Sequence, residues 1–298
     1  MTSSRDPAAT LGLLYGLAGF GIWGLFPLYF KALQQVPAPE VLAHRVAWST
    51  LLLLLLLGWH GRLPALAAEL RAARRLGFYL LTTLLLAGNW LIFIWASQHG
   101  RVLEASLGYY INPLVNVALG MVVLGERLNP RQWLAVALAA AGVGLLVLGY
   151  GAVPWVSLGL ALTWGGYGLL RKKAGFDPML GLGAETLLLT PLAGGYLLWL
   201  GGQGQGALGH LGALTDTLLV LAGLATTVPL LCFLQAAQRL RLSTIGLMQY
   251  LTPTLQFLLA VGLMGERLDP AQFLTFALIW LGLAVYSLDA LRVLRRAR

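Results

Sequence analysis

The sequence predicts an all-α integral membrane protein of ten transmembrane helices, built as two inverted five-helix repeats with both termini cytoplasmic. Three observations lead there. Hydrophobic residues make up 58% of the chain and charged ones 10%, which leaves too little polar surface for a soluble domain. Apolar runs of roughly 20 residues recur, the length that crosses about 30 Å of hydrocarbon at 1.5 Å per residue. Finally, a segment in the middle of the chain returns without a gap near its end.

The apolar runs lie near residues 10–30, 41–58, 76–97, 103–124, 132–149, 154–171, 179–200, 216–237, 244–264 and 271–290. The first is too long for a secretory leader and lacks a small-residue cleavage site. Unbroken stretches such as Leu51 to Leu57 exclude the two-residue alternation of a membrane β-barrel. The connections are short, and the Gly-rich tract Gly201 to Gly212 between spans seven and eight reads as the one flexible loop. A single domain, residues 1–298, is expected.

A net charge of +9 could signal nucleic acid, but its placement argues otherwise. With a cytoplasmic N-terminus, sixteen of the twenty Lys and Arg residues fall on the cytoplasmic side. Lys31, Arg101 and Arg267 fall opposite, and Arg45 lies within a span. That bias is the positive-inside rule, so the basic charge sets topology and no nucleic-acid partner is expected. The lone Cys232 permits neither an intrachain disulfide nor a Cys-based metal site.

The returning segment runs from Leu107 to Leu134 and again from Ile245 to Leu274. It aligns Tyr110 with Tyr250, Pro113 with Pro253, Gly125-Glu126-Arg127-Leu128 with Gly265-Glu266-Arg267-Leu268 and Pro130 with Pro270, each pair 140 positions apart. The earlier spans repeat more weakly, with Trp23-Gly24 answering Trp164-Gly165 at a displacement of 141. Matching residues are separated by five crossings, an odd number, so the second copy is inverted in the bilayer. A site between opposed halves can open to either side when the halves exchange conformations, which points to a transporter.

A polar side chain within a span costs free energy unless it finds a partner or a wet cavity, so such residues mark the candidate site. In span four Tyr109, Asn112, Pro113 and Asn116 share one helical face, and in span nine Gln249, Thr252, Pro253 and Gln256 are their equivalents. Either the two stripes face a central substrate cavity, with Pro113 and Pro253 permitting bends, or they bind helices to one another. Asn89-Trp90 in span three, Trp23 in span one and Trp164 with Tyr167 in span six add aromatic rings and an amide. That mixture suits a flat or amphipathic organic molecule, although tryptophans also anchor at membrane interfaces. Trp59, Trp133, Trp155 and Trp199 near span ends fit the anchoring role.

The charged candidates are fewer. Glu40, His44 and Arg45 open span two at its outer end, and Glu185 in span seven is the repeat mate of Arg45. Inversion sets those two toward opposite faces, which argues against an ion pair between them. Glu185 reads as a proton carrier or as a structural carboxylate, and His44 as a relay or an interfacial group. Glu104 opens span four, where an acidic residue suits a helix start. The Gly-Glu-Arg-Leu-x-Pro pair reads as punctuation, or less simply as a gate, with glycine ending one helix and proline starting the next. No Ser-His-Asp set, phosphate loop or metal-ligand pattern is found, so no enzyme, cofactor or metal is expected.

These doubled segments on ten spans resemble the EamA family of the drug/metabolite transporter superfamily. The runs Val36 to Thr50, Gly88 to Ala96, Leu103 to Asn116, Thr226 to Phe233 and Arg239 to Tyr250 are similar to its RarD branch, over nearly the whole chain. The resemblance implies an EamA-type repeat over 10–150 and another over 151–291, in a permease of the bacterial inner membrane. It further implies a small organic metabolite or drug as substrate and the lipid bilayer as the other partner. Proteins of that branch often carry a label of chloramphenicol sensitivity or resistance. Export with proton coupling through Glu185 or the Glu40/His44 pair is the most concrete expectation, and an uncoupled facilitator or a scaffold are the alternatives.

Overall fold

The computed structural model describes residues 7–124, 130–150, 153–174, 177–240 and 248–296. Among the described residues every regular element is a helix and there is no strand. The first half contributes α1 (Pro7–Ala32), α2 (Ala38–Trp59), α3 (Leu63–Arg71), α4 (Ala73–Gln98), α5 (Val102–Leu124) and α6 (Pro130–Tyr150). The second contributes α7 (Trp155–Ala174), α8 (Pro178–Gly202), α9 (Ala213–Arg239), α10 (Leu251–Gly262) and α11 (Pro270–Arg296). Stretches in α1, α2, α4 and α9 are long and apolar enough to cross a bilayer. A spanning helix satisfies its backbone internally, which is why the apolar runs fold this way.

Proline places several helix starts. Pro130, Pro178 and Pro270 are the first residues of α6, α8 and α11, where a missing N–H costs nothing because that donor has no intrahelical acceptor. Gly265, past the end of α10, adopts φ +71°, a conformation that glycine tolerates without strain. Gly125, its counterpart in the first copy, lies outside the described residues, as do Glu126 and Arg127. The sequence reading missed α3, a nine-residue helix in the connection between spans two and three, because it is too short to register as a span.

The helix contacts come in exchanged pairs. α1 packs on α9 as α7 packs on α4, and α5 packs on α7 as α10 packs on α1. α2 meets α8, and α6 meets α11. At the last of these, a Cβ on Gly142 would stand 3.2 Å from the carbonyl oxygen of Thr275, and one on Gly282 would stand 2.9 Å from that of Ala135. The pairs 142/282 and 135/275 keep the 140-residue displacement, so the two close approaches are one contact seen twice. Small residues let backbones approach where no water drives helices together.

The four tryptophans assigned to anchoring, Trp59, Trp133, Trp155 and Trp199, are all exposed, whereas Trp90 is buried. The hinge prolines differ from one another. Pro253 lies in the first turn of α10, just after the chain turns at Gln249 and Tyr250, so span nine is interrupted there. The side chains of Pro113 and Asn116 lie outside the described residues. Pro27, Pro191 and Pro229 stand inside α1, α8 and α9.

Candidate functional site

A cavity of about 490 Å³ lies between the two halves. Helices α1, α2, α4 and α5 line it from the first half, and α7, α8, α9, α10 and Gln249 from the second. Its volume falls in the range of small-molecule sites, roughly 300–1,000 Å³. Among the described residues, α6 and α11 contribute nothing to its wall. The sequence reading expected spans one, three, four, six, eight and nine; the structure adds α2 through Arg45 and α8 through Pro178 and Leu182.

Eight of the ten residues expected to bind substrate line this space: Trp23, Asn89, Trp90, Tyr109, Trp164, Gln249, Thr252 and Gln256. Several of their polar groups are already committed to the scaffold. The Asn89 amide donates to the Leu160 carbonyl at 3.1 Å and to Thr163 Oγ1 at 2.9 Å, fastening α4 to α7, and its oxygen accepts from the Tyr109 hydroxyl at 3.4 Å. Thr252 Oγ1 donates to the Phe20 carbonyl at 2.9 Å. Gln256 is different: its nitrogen reaches the Trp23 carbonyl at 3.4 Å, but its buried oxygen has no partner among the described residues. That oxygen is a buried acceptor left without a donor, behind a side chain that lines the cavity.

Aromatic rings supply nine of the 22 lining residues. Phe20, Trp23 and Phe233 form a triangle with centroids 5.7–6.1 Å apart. Trp164 and Tyr167 lie 5.7 Å apart on α7. Phe26, Phe93 and Tyr109 of the wall are joined through the buried Phe30 behind it in a chain of edge contacts at 5.5, 5.9 and 5.6 Å. The phenylalanines were not singled out from sequence, because in a chain this apolar their pattern does not differ from ordinary core.

Beyond that aromatic chain the bundle is tied shut. Gln98 Nε2 donates to the carbonyls of Leu33 and Val36 at 2.9 and 3.0 Å, and Gln35 Nε2 donates to Thr215 Oγ1 at 2.7 Å. Glu40 is buried here, accepting the Ala207 N–H at 2.5 Å, with His44 Nε2 at 4.0 Å from its carboxylate. Glu40 therefore holds the Gly-rich loop with His44 beside it, and neither lines the cavity. Glu266 closes the same end: its two oxygens accept the N–H groups of Val102 at 2.7 Å and Leu103 at 2.9 Å. Those are free donors of the first turn of α5, so the helix start that Glu104 was expected to serve is capped by Glu266 from the other half. Glu104 instead pairs with Arg101 at 2.8 Å.

Toward the opposite end the cavity reaches Gly168, Arg171 and Pro178, where Gly168 and Pro178 are exposed. Glu185 sits just behind this wall. Its Oε2 accepts from the Tyr167 hydroxyl at 3.0 Å, and its Oε1 lies 3.8 Å from Arg171 Nη1. Arg45, its repeat mate, bonds elsewhere, donating from Nε to Thr226 Oγ1 at 2.8 Å. The partner of Glu185 is thus Arg171, one of the sixteen cations that the sequence reading set on the cytoplasmic side. Asn112 is fully buried, and neither amide atom finds a partner among the described residues; it is not part of the wall. No group of three His, Cys, Asp or Glu residues that could hold a metal occurs among the described residues.

Comparison with known proteins gives this architecture its relatives. The chain is 50% identical over 287 residues to an uncharacterized transporter of Pseudomonas aeruginosa, covering 96% of each chain. It is 44% identical over 285 residues to the protein RarD of Escherichia coli, again covering 96% of each. A solved crystal structure superposes with a TM-score of 0.60 at 20% identity, over 97% of this chain and 98% of that one, which speaks for a shared fold. The model of the EamA-like transporter family matches twice, at residues 10–148 and 152–288, and the chain belongs to that family, alongside the RarD proteins.

Proposed function

We propose that this protein is a multi-pass inner-membrane secondary transporter that exports a small organic metabolite or drug by alternating access. One observation carries the reading: a cavity of about 490 Å³ is walled by both halves, tied shut at one end and reaching the other end at Arg171 and Pro178. Two such halves, each matched by the same family model, suit a machine in which exchanging their conformations moves the opening. In this reading ten helices span the membrane and both termini are cytoplasmic. The positive-inside bias then makes the Arg171 end cytoplasmic, and the shape described is inward-facing.

A proton taken up by Glu185 would drive export, since its carboxylate lies behind the cavity wall with Tyr167 and Arg171 between it and the substrate space. The ion pair with Arg171 is also the observation that favours the second reading, an uncoupled facilitator in which Glu185 is structural. Purified protein in liposomes with an enclosed pH dye separates the two. Challenge with a panel that includes amino acids and chloramphenicol should produce a proton flux with at least one compound, and Glu185→Gln should abolish it. Substrate movement without proton flux would establish the facilitator, and movement of no compound would count against transport.

A further inference from the structure

Arg45 is a buried cation in the middle of an apolar bundle, 5% exposed, and it forms part of the cavity wall. Among the described residues no carboxylate pairs with it: Glu185, the acid nearest in the repeat pattern, is held by Arg171, and Glu40 accepts the Ala207 N–H. Its Nε donates to Thr226, and its terminal nitrogens make no hydrogen bond among the described residues. A guanidinium carries five N–H donors and no acceptor, so four of them remain available. The group is held in place by rings, with Cζ 4.0 Å from the Trp90 centroid, 5.4 Å from Phe26 and 5.8 Å from Phe30. Rings stabilise the cation through its face and leave its edge to donate.

An unpaired charge in a span is expensive, and proteins keep one where it serves a function. The second cavity cation, Arg171, has its charge offset by Glu185, and no Asp or Glu lines the cavity among the described residues. The space between the halves is therefore net positive at Arg45 and apolar around it, and this selects for the opposite sign on a hydrophobic body.

We propose that Arg45 is the substrate-anion receptor of the cavity, and that the molecule carried is an organic anion, a carboxylate or phosphonate borne on a planar aromatic body. The planar fork of a guanidinium matches both anions through paired hydrogen bonds. The Phe20, Trp23 and Phe233 triangle, which lines the same cavity, would receive the aromatic body. This inference rests on the transport reading for its physiological meaning, but it concerns binding and can be tested without transport.

The test compares charge at fixed shape. Binding of indole-3-acetate and of its neutral isostere indole-3-acetamide to purified protein in nanodiscs is measured by calorimetry, with phenylphosphonate as the second anion. The wild-type protein should bind indole-3-acetate about tenfold or more tightly than the amide. Arg45→Gln should erase that preference, and Arg45→Lys should retain part of it. Because Arg45→Gln could destabilise the bundle, the wild-type acid-to-amide ratio stands as an independent measurement. Equal affinities, binding of neither probe, or a preference that survives in Arg45→Gln would each overturn the proposal. Anion-selective binding in a protein that moves no probe across liposomes would uphold it and count against the transport reading. Transport of neutral compounds with no anion preference would do the reverse.

Discussion

Thr50 Oγ1 and Thr190 Oγ1 stand 2.9 Å apart, and the two residues are repeat mates, 140 positions apart in the chain. Equivalent points in two related halves touch only at the axis that relates them. α2 and α8 therefore cross where the pseudo-two-fold axis passes.

The pair is symmetric in sequence but not in bonding, and this yields a prediction. Thr190 Oγ1 donates its proton to the Thr186 carbonyl at 2.8 Å, so the proton between the two hydroxyls must come from Thr50. Thr190→Val would leave the buried Thr50 hydroxyl without an acceptor, whereas Thr50→Val leaves Thr190 its bond to Thr186. The first change should cost about 1–3 kcal/mol and the second about 0.6 kcal/mol. Unfolding of both variants in mixed micelles would show this inequality; equal costs would mean that Thr50 has another acceptor.

Glu266 joins the halves at the closed end by accepting the N–H groups of Val102 and Leu103. Glu266→Ala should free the first turn of α5 and lower stability by about 1 kcal/mol or more. Glu266→Gln retains one acceptor oxygen and should lie between. Hydrogen exchange at Val102 and Leu103 is the direct readout: faster exchange confined to this turn supports the latch, and unchanged exchange contradicts it.

Why the sequence revealed the helices but not the partners of the acids is a matter of range. Spans are local, since 20 apolar residues suffice to define one, and the repeat is visible wherever identities persist. The stripe residues Gln249, Thr252 and Gln256 were readable because polarity in a span has few local explanations. Glu266 acts on residues 163 and 164 positions away, so its role as the cap of α5 could not be read from its neighbours. Asn89 looked like a ligand group for the same reason that it is useful as a peg: an amide in a span must find partners, and here Leu160 and Thr163 supply them. The aromatic wall was hidden because phenylalanine suits both a core and a cavity.

Asp177, in the connection before α8, should confer acid sensitivity on that end. Burial pushes its carboxyl up, but the N–H groups of Leu180 and Met179 and the Arg62 guanidinium at 3.1 Å outweigh this and hold it below its ordinary 3.8. A carboxylate with a lowered folded pKa contributes stability that is present above 3.8 and is lost as pH falls through the folded value. The stability difference between wild type and Asp177→Ala should thus be constant from pH 8 to about pH 5 and shrink below about pH 4. The pair is partly exposed, so the difference should also weaken at high salt. A difference that persists undiminished at pH 3 would refute the assignment.

Gly181 offers a way to separate Arg171 from Glu185 without touching either. The Arg171 guanidinium lies so close over Gly181 that a Cβ there would overlap it, while the atoms displaced are the far end of a flexible side chain. Gly181→Ala should therefore fold well, aided by the better helix propensity of alanine, worth about 1 kcal/mol in a helix interior. The guanidinium must move off Glu185 toward the exposed mouth formed with Pro178, leaving the carboxylate with the Tyr167 hydroxyl. Modification of Arg171 by phenylglyoxal, followed by mass spectrometry, should then run severalfold faster than in the wild type, with Arg45 as the slow internal reference. If the Arg171 rate is unchanged in a well-folded Gly181→Ala protein, the ion pair does not depend on the space that glycine leaves, and Glu185 is held by something other than this contact.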